Sequence, residues 1–109
     1  MSNTDTDPSK NAGRKRLGPT LTFPQLNLNG TSSNELLAQY HDAIVALELA
    51  CAAVRKAWPH GRDYQTLDNE AHRTAMFQHT VRLERIVATQ RELEDIYEAI
   101  HKQVEERRK

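Results

Sequence analysis

The sequence is short of most things that build a catalytic or disulfide-stapled domain. It has one cysteine, Cys51, so no internal disulfide can form. That cysteine falls inside an apolar stripe, where a thiol packs as a small hydrophobe, and it fits a reducing compartment. Lysine plus arginine number 15 and aspartate plus glutamate 15, so no net charge exists to wrap the chain in phosphate contacts. No apolar run approaches the roughly 18 to 20 residues that cross a bilayer. The first thirty residues are polar and broken by Pro and Gly, without the apolar core of a secretory signal. A soluble cytoplasmic protein with no membrane contact is the expectation. No nucleophile beside a base, glycine-rich phosphate loop or Cys/His zinc spacing occurs. The chain is therefore expected not to be an enzyme and to need no cofactor.

Glycine and proline are also missing from Asp68 to Lys109, and this last absence is constructive. The run reads as one helix, about residues 68–108, with a seam at steps of three and four through Met76, His79, Leu83, Ile86, Gln90, Leu93, Tyr97, Ile100 and Val104. Most intervening residues lose little rotamer freedom in a helix. A helix of that length is roughly 60 Å long and needs more than one small partner.

An earlier helix is predicted over about 33–58. Ser32 and Glu35 have the spacing of a capping box, and Leu37, Tyr40, Ile44, Leu47, Cys51, Val54 and Trp58 make its seam. Pro59 and Gly61 end it. The connector, 59–67, reads as a turn in which Tyr64 and Leu67 fold back to close the helix pair, and Thr66 or Asp68 caps the second helix. So short a link predicts an antiparallel two-helix hairpin, coiled-coil-like and all-α, spanning residues 31–109.

Two segments precede the hairpin. Residues 1–19 carry little to bury and are expected to be a disordered basic arm whose positive patch is Lys10, Arg14, Lys15 and Arg16. Residues 20–30 form an extended apolar strip with Leu21, Phe23, Leu26 and Leu28, since Pro24 prevents a helix through its middle. Setting Trp58 beside Ala71 to Ala75 puts Leu37 opposite Arg91 to Leu93 and leaves Ile96, Tyr97, Ile100 and Val104 beyond the first helix. Those four, with the four apolar residues of the strip, are the candidate partner-binding set, covered either by the chain itself or by another. Apolar residues outside the seams, Val45, Leu49, Phe77, Val81 and Val87, widen the sticky surface. Two hairpins are therefore expected to join as a four-helix bundle, with a larger hetero-assembly as the rival.

Glu98 and His101 have the Glu-x-x-His spacing of di-iron bundles, but they flank the seam and are expected on a solvated face, with no metal bound. His79 on the seam is expected as a hydrogen-bonded core histidine reaching Glu48, and Gln90 as a register-fixing polar residue. The passages Leu28-Asn29-Gly30-Thr31-Ser32, Glu35-Leu36-Leu37 and Pro59-His60-Gly61-Arg62-Asp63-Tyr64 resemble small uncharacterised helical-hairpin proteins of bacteriophages and their bacterial hosts, over roughly residues 28–104. The resemblance implies no activity and no site. In architecture alone the chain is also similar to Rop-type RNA-binding hairpins. The expected function is a helical interaction module, an assembly or adaptor factor of a phage or mobile element working in the host cytoplasm. The alternative is a nucleic-acid-binding hairpin using Lys10, Arg14, Lys15 and Arg16, with Arg82, Arg85 and Arg91 on the long helix.

Overall fold

The structure, a computed structural model, describes residues 20–108. The basic arm with Lys10, Arg14, Lys15 and Arg16 lies outside the described residues. Those that are described form helix α1 (Ser33–Lys56), a 3-10 turn (Gly61–Tyr64) and helix α2 (Ala71–Arg107), with no strand among them. The two helices pack against each other. Trp58 meets His79 at one end while Leu36, Leu37 and Tyr40 meet Ile96 and Ile100 at the other, so the pair is antiparallel.

Local chemistry sets the helix ends. The Glu35 backbone N–H donates to Ser32 Oγ at 3.2 Å, and the Ser32 hydroxyl donates to Glu35 Oε1 at 3.1 Å. This reciprocal pair occupies a free N–H of the first turn. At the other end α1 stops at Lys56, short of the expected Trp58, because the residue before Pro59 is pushed out of helical geometry. Asp68 delays α2. Its Oδ1 accepts from the Glu70 N–H at 3.0 Å and its carbonyl from the Ala71 N–H at 3.1 Å, a turn that postpones the helix from 68 to Ala71. Thr66 does not cap it.

The connector closes differently from the sequence expectation. Tyr64 lies against His72, ring centroids 5.7 Å apart, and His72 Nε2 donates to the Pro59 carbonyl at 3.0 Å. The Leu67 side chain is 58% exposed and takes no part in the closure, while its N–H donates to the Tyr64 carbonyl at 3.1 Å. Imidazole, not leucine, ties the turn to α2.

Register is the larger correction. Near the connector the pairing is as expected: His79 meets the Val54 carbonyl and His72 the Pro59 carbonyl, which sets Trp58 level with the first turns of α2, its ring reaching His79 edge-on with centroids 5.7 Å apart. The difference lies at the far end, where Leu36, Leu37 and Tyr40 pack on the Ile96–Ile100 cluster and the overhang beyond α1 is shorter than sequence arithmetic gives.

A bilayer-sized apolar helix is also present, contrary to the sequence reading. An 18-residue window within α1 has a mean hydropathy of 1.3. Its length and composition would suffice to cross a membrane. Asp42 and Glu48 sit near the middle of that helix, and an acidic side chain at a bilayer centre costs about 3 kcal/mol, which offsets the gain from the aliphatic residues.

Candidate interaction surface

The strip comes to rest on its own chain. Leu26 is 8% exposed and packs with Ile96 and with Ile100, which is fully buried; Leu21, Leu36, Leu37, Tyr40, Leu93 and Val104 surround them. An extended segment outside a sheet still has backbone groups to satisfy. Gln103 does this with its carboxamide, accepting from the Leu26 N–H at 2.9 Å and donating to the Pro24 carbonyl at 2.9 Å. One turn further on, Arg107 donates to the Leu26 carbonyl at 2.8 Å. Two side chains thus imitate a neighbouring strand. Sequence reasoning missed both, although the signal existed: an apolar strip containing proline needs donors and acceptors from whichever helix it lies on.

The eight candidate partner-binding residues consequently divide. Leu26, Ile96 and Ile100 are buried within the chain, Leu21, Tyr97 and Val104 are half-buried, and Phe23 and Leu28 are exposed. Leu28 carries no cover at all, and it sits on the Asn27–Gly30 turn that leads into α1. Tyr97 stacks on His101, centroids 6.3 Å apart with planes at 15°.

Elsewhere the surface is uneven. A groove of about 490 Å³ beside Phe23 is lined by Asp95, Glu98, Glu105, Lys102, His101 and Ala99. Glu98 and His101 share this groove, and no group of three or more His, Cys, Asp or Glu placed to hold a metal occurs among the described residues. A second groove, about 300 Å³, runs between Glu48, Cys51 and Arg55 of α1 and Val87, Gln90, Arg91 and Glu94 of α2. Cys51 is buried at its base.

His79 is the buried polar residue of the helix pair. Its Nε2 contacts the Val54 carbonyl at 2.6 Å, and a carbonyl only accepts, so that nitrogen carries the hydrogen. Arg82 then donates to Nδ1 at 3.2 Å. The ring caps one of the last carbonyls of α1 from across the interface, in place of the expected contact with Glu48. Gln90 bonds Glu94 within α2, at 3.3 Å, instead of bridging the seam.

What the hairpin leaves uncovered is apolar. Val45 and Leu49 on α1 and Phe77 on α2 are exposed, Leu49 and Phe77 to 69% each. Against family models, curated proteins and solved structures, the chain has no match. These side chains offer area for another surface to cover.

Proposed function

We propose that the chain is a non-enzymatic helical interaction module, an assembly or adaptor factor of a phage or mobile element that acts in the cytoplasm through protein–protein contacts. Its working form joins four helices from two hairpins, or one hairpin with a different protein. The observation that supports this reading is the mismatch between the composition of α1 and its burial. Eighteen consecutive residues of α1 average a hydropathy of 1.3, yet Cys51 is the one buried residue of the helix. Exposed apolar helix faces of this kind are surfaces for association. The phage attribution draws on the likeness of the cap and connector to phage-encoded hairpins.

The test is association of the full chain, alone and with host or phage proteins. A dimer by light scattering, or one protein recovered in stoichiometric amount on the immobilised chain, supports the module. A monomer that retains nothing above bare resin overturns it. The nucleic-acid alternative draws on the four cations of residues 10–16 and on exposed Arg82, Arg85 and Arg91. It predicts a gel shift that weakens with salt and disappears when residues 1–19 are deleted, and no shift at low salt removes it.

A further inference from the structure

We propose that the outward face of α1 is the contact surface for a second copy of this chain, the two α1 helices meeting antiparallel about a two-fold axis at Leu49. This rests on the reading of the protein as an interaction module, and it names the partner and the face. Along α1 the positions Asp42, Val45, Leu49, Ala53 and Lys56 recur at steps of three and four, with Ala46 beside Val45, and all are exposed. They lie on the side opposite Leu47 and Cys51, which face α2. Among the described residues this second seam stays exposed, Val45 to 38% and Leu49 to 69%.

The charges on this face select the occupant. Asp42 and Lys56 stand at equal separations on either side of Leu49. An antiparallel copy sets each carboxylate against the other protomer's ammonium, whereas a parallel copy opposes like charges. Between those ends Val45 meets Ala53, and Leu49 meets its own symmetry mate. The small side chains let the helices approach closely, and antiparallel helix dipoles favour the same orientation. An unrelated helix would need the reverse order of base, apolar stretch and acid. A second copy turned about the axis presents that order automatically, which is the self-complementarity of an isologous contact. The four helices then stand in the row α2, α1, α1, α2, an open layer instead of a closed square bundle.

The contact is small. Stable dimers bury about 800 Å² per partner, and about four turns of one helix face supply less, so dissociation is expected on the order of tens of micromolar. Sedimentation velocity of the full chain from micromolar to near-millimolar concentration reads this directly. The mass should rise from one chain to two. Leu49→Glu should keep it at one, with helicity by circular dichroism unchanged because Leu49 touches no core. Asp42→Lys should weaken the dimer roughly tenfold, and adding Lys56→Asp should restore it by reversing both ends. A wild-type chain that stays monomeric overturns the proposal, as does a dimer indifferent to Leu49→Glu or a charge reversal that fails to rescue. Capture of a different protein by a monomeric chain also overturns it, and leaves the broader module reading standing. Flotation of the chain with phosphatidylcholine vesicles, abolished by Leu49→Glu, would assign the face to a lipid surface and overturn it too.

Discussion

Replacing Gln103 with alanine should free the strip while leaving the helix pair intact. The carboxamide makes two bonds to the strip backbone, to the Leu26 N–H and the Pro24 carbonyl, both at 2.9 Å and both part-buried. Each such bond is worth about 0.5–1.5 kcal/mol net, so losing the pair costs about 1–3 kcal/mol of local stability. The Leu26 amide reports this directly, since its hydrogen is held by Gln103 and by nothing within a helix or sheet. Its exchange with deuterium should quicken roughly 5- to 150-fold in Gln103→Ala, while amides in the middle of α1 and α2 keep their protection. Gln103→Glu keeps an acceptor for Leu26 but loses the donor to Pro24, and should fall between the two. Equal exchange at Leu26 in wild type and Gln103→Ala, or no protection there in wild type, would refute the fastening described above.

Four further substitutions probe the rest of the fold. Ile100→Ala empties a fully buried site and should cost about 2–5 kcal/mol, seen as a lower urea midpoint with an unchanged slope. His79→Ala removes the bond to the Val54 carbonyl and the edge contact with Trp58, for about 1–3 kcal/mol in thermal unfolding followed by tryptophan fluorescence. Glu48→Ala, by contrast, should stay within about 0.5 kcal/mol of wild type. Ser32→Ala should destabilise α1 by about 1 kcal/mol, read by chemical denaturation, and a neutral result would mean the Ser32–Glu35 pair contributes nothing.

The residues differ in how openly they announce their roles. Helix, cap and seam were legible because each is periodic or local: Ser32 three residues before Glu35, and apolar side chains every third or fourth position from Leu37 onward. The register was not. Leu37 lies by Ile96 and Ile100 instead of Arg91 to Leu93, a shift of about one turn that apolar periodicity permits because each seam residue has an equivalent one turn away. His79 illustrates a second limit. Its position on the seam was evident, but its partner is a backbone carbonyl, which every residue possesses and no residue type marks. Gln103 and Arg107 looked like ordinary polar residues near a helix end, and only the course of the strip beside them gives them work. Val45 and Leu49 were legible as surplus apolar residues, and the structure adds that they share one outward line with Asp42 and Lys56.

The strip is grasped by its main chain, so its grip ignores much of its own spelling. Thr22 and Gln25 could change to many other residues without loosening this grip, because Gln103 and Arg107 touch peptide groups. The Asn27 side chain, by contrast, accepts from the Asn29 N–H and donates to the Gln25 carbonyl and so holds the turn. Counting is another matter: one residue inserted between Pro24 and Leu26 would move a carbonyl or an amide out of reach and swing the leucine off its pocket. The segment should therefore tolerate change at Thr22 and Gln25 and hardly any change in length.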